Sequence, residues 1–414
     1  MKSPVTLGIE ALVAQPATIA GCRVAVLSHH AAVTHDLRRS VDAVAGVAEI
    51  ARVFAPEHGF WALRSAFPEP EPEIDAVLGK EVISLYAEYP VQPRELTPEG
   101  IQAWKKELRR TKDALRPKPH LLTDVECLIV DLQDIGSRYY TFATTMAYCM
   151  EVCNQTGTRV IVCDRPNPVN GITVEGNLPD GPEWLSFVGQ FSIPPRHGLT
   201  IGELALFFRT VDDRYACDLE VIPMQGWRRA MWWDDTDLPW IPPSPNIPSI
   251  TTATAYPGMC LIESTRASEG RGTALPFVMF GAPGIDPYRL AGELNELRLP
   301  GVEFAPNYFM PMFQKQAHRV CGGVQLIITD RNIFEPYWTG LCCLKVLHET
   351  WSEFEWRREA YEFEAPDERS ALDQLAGSPL PRTIIEEGGS LDKWRRDWDL
   401  RSYMRRRDEI RIYE

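Results

Sequence analysis

The chain has 414 residues, 44% of them hydrophobic and 24% charged, and a net charge of −14. That length exceeds what one hydrophobic core usually serves, so two domains are expected, and the composition is globular rather than disordered or membrane-like. The acidic excess argues against a nucleic-acid binder, which needs Lys and Arg to neutralise phosphates. In chain order, short apolar runs at 23–27, 50–54, 82–85, 127–130 and 159–163 read as buried strands. Helical spacing lies between them at 97–115 and 141–153. A further helix starts at Thr200, where Glu203 completes a capping box, and 219–222 reads as another strand. Alternation of this kind predicts a mainly parallel sheet in a Rossmann-like α/β domain over 1–235, followed by a smaller α/β domain over 236–414.

Residues 223–260 change character, with Trp227, Trp232, Trp233 and Trp240 set among Pro239, Pro242, Pro243, Pro245 and Pro248. Proline at this density predicts a long ordered loop or crossover. Beyond it the pattern predicts a helix at 287–297, a strand at 324–329, and helices at 336–351 and 391–407. The proline-spaced acidic stretch 68–73 reads as an extended exposed loop. Ten cysteines are scattered without a Cys-x-x-Cys pair, which fits buried reduced thiols better than a disulfide framework or a zinc site. With no apolar run of membrane-spanning length and no secretory leader at the first residues, a cytoplasmic protein without membrane partners is expected.

Ligands of open α/β sheets bind beyond the carboxyl ends of the strands. Here those ends run into Ser28-His29-His30, Pro56-Glu57-His58-Gly59, Asp131-Leu-Gln-Asp134 before Arg138, Tyr139 and Tyr140, and Asp164-Arg165-Pro166-Asn167. If the strands are parallel, all four clusters share one rim. Glu57, on a short loop between Pro56 and Gly59, is the foremost acid or base candidate, its alternative being a surface residue that caps the next element. His58 reads either as a second acid/base group or as a structural histidine. Asp131 and Asp134 offer a second carboxylate, or else helix capping and a salt bridge to Arg138 or Arg165. In the second half, His197 precedes the capped helix, Asn246 sits in a rigid Pro-Ser-Pro-Asn frame, and Glu269 and Arg271 lie on a glycine loop. Gly-x-Gly-x-x-Gly, a phosphate loop, Gly-x-Ser-x-Gly and His-Glu-x-x-His are all absent, so no nucleotide, metal or other cofactor is expected.

Taken in order, Pro56-Glu57-His58-Gly59, the Asp131 to Thr141 segment, Asp164-Arg-Pro-Asn-Pro168, Arg196-His-Gly-Leu-Thr200, Pro243-Ser-Pro-Asn246, Tyr256-Pro-Gly258 and Ser268-Glu-Gly-Arg-Gly-Thr273 resemble the exo-β-N-acetylmuramidase family, long catalogued as a domain of unknown function. The resemblance covers nearly the whole chain. It implies release of β-linked N-acetylmuramic acid from the non-reducing end of peptidoglycan fragments, in a cleft between a Rossmann-like domain and a smaller one. The family's catalytic glutamate carries over to Glu57 as general acid. Asp131, Asp134, Arg138, Tyr139, Arg165, Asn167, His197, Asn246, Glu269 and Arg271 would then hold the sugar, with Asp131, Asp134 or Glu269 as the second carboxylate. The chain departs from the family at Ser28-His29-His30-Ala31, Trp61-Ala62-Leu63 and Glu263-Ser264-Thr265-Arg266. Two rivals stand beside this reading. One is a non-catalytic binder of cell-wall sugars; the other is a different hydrolase on the same scaffold, acting on another modified amino sugar or metal-assisted through His29, His30 and His58.

Overall fold

The computed structural model describes residues 2–63, 73–86, 97–365 and 368–414. Seven strands form the larger sheet: β1 (Arg23–Ser28), β2 (Glu49–Ala55), β3 (Glu73–Asp75), β4 (Lys80–Ser84), β5 (Cys127–Asp131), β6 (Arg159–Cys163) and β7 (Leu219–Ile222). Their order is β3-β4-β2-β1-β5-β6-β7, and every pairing is parallel except β3 with β4. The central strands are apolar on both faces because both faces are covered. In β1, Ala25 and Leu27 enter one core while Val24 and Val26 enter the other, the period-2 alternation of a strand between two layers. Helices Phe142–Thr156 and Ile201–Val211 lie on the first face, Gly8–Ala14 and Ser40–Ala45 on the second. Most of the proline-spaced stretch 68–73 falls outside the described residues.

A smaller antiparallel sheet follows, in the order β8-β10-β9, made of β8 (Met279–Ala282), β9 (Val302–Phe309) and β10 (Cys321–Ile328). Helices Pro287–Glu296 and Pro336–Thr350 accompany it. Two sequence expectations need correcting. The proline- and tryptophan-rich segment is not loop throughout, since Ile250–Met259 is helical, with the Ser249 hydroxyl accepting from Thr252 N at 3.1 Å. The expected helix at 391–407 is two helices, Leu391–Arg396 and Arg401–Ile410. Asp399 separates them by accepting from Arg401 N at 3.0 Å, a local turn that competes with continued helix.

One packing contact matters for the site. Helices Ile250–Met259 and Pro336–Thr350 meet at Gly258 and Gly340, where a Cβ on Gly258 would lie 1.7 Å from the Pro336 carbonyl oxygen. Only glycine allows that approach. It draws Tyr256, two residues earlier, towards the carboxyl ends of the large sheet.

Candidate active site

A cavity of about 200 Å³ opens beyond the carboxyl ends of β2 and β5, with walls from both parts of the chain. Glu57 and His58 reach it from the turn that ends β2. Gly59 N closes that turn on Pro56 O at 3.1 Å, and His58 takes a left-handed φ of 73°. Histidine is among the few side chains that tolerate this region. The turn therefore aims Glu57 inward instead of continuing the strand. Thr141 donates its hydroxyl to Glu57 Oε2 at 2.5 Å. Tyr139, Tyr140 and Thr141 sit on the loop between β5 and helix Phe142–Thr156. That loop is fixed at Gly136, whose φ is 82° and whose Cβ would meet Asn167 Oδ1 at 2.5 Å.

The opposite wall comes from the second half. Ser244 Oγ lies 3.2 Å from His58 Nε2, which ties the proline-framed loop to the β2 turn, and Asn246 lines the cavity beside it. Arg271 is held by Glu263 at 2.6 Å and by Glu269 at 3.5 Å, with its guanidinium 5.0 Å from the Phe277 ring. Tyr256 meets Phe277 edge-on at 4.8 Å. Lys315 backs the group, 2.7 Å from Glu269 Oε2. Arg357, Tyr361 and Glu362 complete the lining. Burial, reinforced by the charges of Glu57 and Glu263, pushes the Glu362 carboxyl up to about 8. Such a cavity presents carboxyls, a guanidinium, an amide and aromatic faces to one small polar ligand.

Two family descriptions together span almost the entire chain. The N-terminal domain of exo-β-N-acetylmuramidase NamZ matches residues 24–103 and 109–251, and its C-terminal domain matches 254–413. The chain belongs to the exo-β-N-acetylmuramidase family. Among curated members, the peptidoglycan β-N-acetylmuramidase NamZ of Bacillus subtilis (strain 168) is 37% identical over 417 residues, covering 100% of this chain and 92% of its own. Two solved structures of DUF1343 family proteins from Bacteroides fragilis NCTC 9343 share the fold. One has a TM-score of 0.81 at 29% identity, covering 99% of each chain. The other has a TM-score of 0.71 at 26% identity, covering 100% of this chain and 99% of its own.

Within this exo-β-N-acetylmuramidase framework, the residues singled out from sequence divide into two groups. Glu57, His58, Tyr139, Asn246 and Arg271 line the cavity. The others take internal partners. Asp131 pairs with Arg165 through two bonds of 2.6 and 2.8 Å, the structural alternative anticipated for it, and Arg165 also donates to Val33 O. Arg138 donates to the carbonyls of Asn177, Ile193 and Leu375 and so clamps three segments. Asn167 spans Leu199 O and Val169 N. Asp134 accepts from Gly136 N at 2.6 Å, and burial pushes it up to about 7. His197 accepts from Leu199 N at 3.1 Å, and burial lowers it to about 3. Glu269 stands behind Arg271 rather than in the cavity lining. His29 accepts from Gln133 N at 3.1 Å with its ring 4.8 Å from Phe142. Among the described residues, no three His, Cys, Asp or Glu side chains are grouped to hold a metal ion. Sequence reasoning missed Glu263, Arg357 and Glu362, which lie in segments without a strand-end, glycine or proline signal.

Proposed function

We propose that this protein is a glycoside hydrolase that releases β-linked N-acetylmuramic acid from the non-reducing end of peptidoglycan fragments, with Glu57 protonating the glycosidic oxygen. The observation that carries the reading is the convergence of Glu57, held by Thr141, with Arg271 in one cavity. At about 200 Å³ the cavity is smaller than the roughly 300–1,000 Å³ of sites for drug-sized ligands. That suits a single terminal ring rather than a threaded glycan, and hence exo action. Arg271 provides the cation for the sugar's lactyl carboxylate, because its planar fork can engage a carboxylate while Glu263 and Glu269 hold its position. Asn246 and Tyr140 supply polar groups for the ring hydroxyls and the acetamido group.

The test is a pair of chromogenic substrates whose leaving group needs a proton, a nitrophenyl β-N-acetylmuraminide and its N-acetylglucosaminide analogue. The protein is expected to cleave the first and spare the second. Glu57→Gln is expected to bind the muraminide without turning it over. Cleavage of the glucosaminide alone, or a Glu57→Gln variant as active as the parent, overturns the reading.

A further inference from the structure

Tyr361 and Glu364 exchange both backbone hydrogen bonds, N to O at 3.0 Å in each direction, and close a two-residue hairpin with Glu362 and Phe363 at its tip. The tip residues have φ of 43° and 71°. Turns with two left-handed residues normally use Asn-Gly, because L side chains resist that region. Glu-Phe in both positions is strained backbone, and such strain persists only where the surroundings over-determine it, most often at functional sites. The surroundings here are visible. Phe363 is buried with its ring edge-on to Phe187 at 5.1 Å, which pins the turn. Glu362 is thereby turned into the cavity that Glu57 lines, and its Oε2 is buried without a hydrogen-bond partner among the described residues.

The charges facing Glu362 are those of Glu57 and Glu263, which repel it, and of Arg357 and Arg271, which attract it. Arg271 is already engaged by Glu263 and Glu269, and Lys315 by Glu269. Around the cavity, the carboxyls of Glu57, Glu263, Glu269 and Glu362 thus outnumber the cations of Arg271, Lys315 and Arg357 by one. One proton balances the group. Two carboxyls that feel each other's charge share it as a pair.

We propose that Glu362 is the second carboxyl of the reaction, the base that takes the proton of the water attacking the anomeric carbon. This rests on the reading of Glu57 as proton donor. As the bond from the anomeric carbon to the glycosidic oxygen breaks, its electron pair stays on the oxygen, which receives the Glu57 proton. The water oxygen bonds to the anomeric carbon and gives a proton to the Glu362 carboxylate. Glu57 ends ionised and Glu362 protonated; the step starts from the opposite arrangement of the one shared proton, with Glu57 protonated and Glu362 ionised. Burial and repulsion from Glu57 and Glu263 raise Glu362, so once ionised it holds a proton taken from water more firmly than a solvated glutamate would.

Aryl β-N-acetylmuraminides with nitrophenyl and dinitrophenyl leaving groups separate the two carboxyls. Glu362→Ala is expected to lose about 10²–10⁴-fold in kcat on both substrates. Azide should restore part of that turnover by forming the glycosyl azide, and one ionisation should vanish from the pH–rate profile. Glu362→Gln, nearly isosteric, should show the same loss with an unchanged melting curve, which separates chemistry from misfolding. Glu57→Gln should instead keep activity on the dinitrophenyl substrate, whose leaving group needs no proton. Near-parental turnover in Glu362→Gln, or a loss in Glu362→Ala that azide leaves untouched and that keeps the shape of the pH profile, overturns the proposal. If Glu362→Ala responds to azide while Glu57→Gln still cleaves the nitrophenyl substrate, the reading of Glu57 fails and that of Glu362 stands.

Discussion

The Thr141 hydroxyl that donates to Glu57 stands at the N-cap of helix Phe142–Thr156, yet makes no capping bond to that helix. A threonine cap is usually worth about 1 kcal/mol of helix stability. Here the side chain fixes the orientation of a carboxyl instead, while burial of nearly every residue in the first three turns of the helix supplies the stability forgone. Thr141→Val keeps the volume and removes the bond. Glu57 gains charge as it gives up its proton, and hydrogen bonds to charged groups are worth about 1.5–3 kcal/mol, so kcat is expected to fall roughly 10- to 100-fold with little change in KM. Thr141→Ser should recover most of the loss. A change confined to KM in steady-state kinetics would instead mean that Thr141 grips the sugar. At the same scale, both Asp131 oxygens are engaged by Arg165, and Asp131 does not line the cavity.

The capping box at Thr200 could be read from four residues, and the structure adds a long-range partner to it. Thr200 Oγ1 accepts from Glu203 N at 3.2 Å while donating to Asp164 Oδ2 at 2.7 Å, so one hydroxyl joins a helix start to the end of β6. Thr200→Val should lower stability by about 1–3 kcal/mol, read as a shift of the urea midpoint, by leaving Glu203 N unsatisfied and removing a donor from a buried carboxyl. A midpoint unchanged within error would show that the helix does not depend on this cap. The six parallel strands and the flanking helices were legible because apolar runs and caps are local signals. Glu57, His58, Asn246 and Arg271 were legible for the same reason, each beside a strand end or in a loop marked by proline or glycine. Helix Ile250–Met259 was hidden by the prolines crowded before it, from Pro239 to Pro248, although all of them precede its first turn and its own Pro257, in the last turn, removes only one intrahelical donor. β9 was hidden by Pro306, which an edge strand tolerates. Glu362 could not be read at all: its turn lacks the Asn-Gly signature, and its direction is set by the packing of Phe363 against Phe187.

At the scale of the molecule, the apolar core on one face of the large sheet runs from Ala25 and Leu27 to Leu347 and Tyr403, so the two parts of the chain share it. Several carboxyls lie within or beside that core. Burial pushes Asp134, Asp164 and Glu175 each up to about 7 and, with its neighbours' charge, Glu362 up to about 8. All four exceed the roughly 3.9–4.3 of unfolded carboxyls, so the folded state favours the proton. Their stabilising contribution is complete below about pH 4 and is lost progressively as pH rises from there, the loss ending as pH passes 7 to 8. Buried His29 and His197 and half-buried His30, lowered chiefly by desolvation, oppose this trend only below their unfolded value of about 6.5. The urea midpoint is therefore expected to fall between about pH 6.5 and 8.5, and Asp164→Asn should flatten the decline. A rising midpoint over that interval contradicts the assignment. Asp164 has one more partner, because Tyr413 donates its hydroxyl to Asp164 Oδ2 at 2.6 Å across 249 positions of sequence. Tyr413 also accepts from Met224 N at 2.9 Å, and Ile412 N donates to Glu203 Oε1 at 3.0 Å. A ribosome adding about 5–20 residues per second reaches Tyr413 roughly 12–50 s after Asp164. Through that interval the nascent sheet waits with a buried acid lacking one of its donors, and contacts of such long sequence separation make its completion slow. Docking of Tyr413 onto Asp164, more than formation of the first strands, is therefore expected to be a late step of folding.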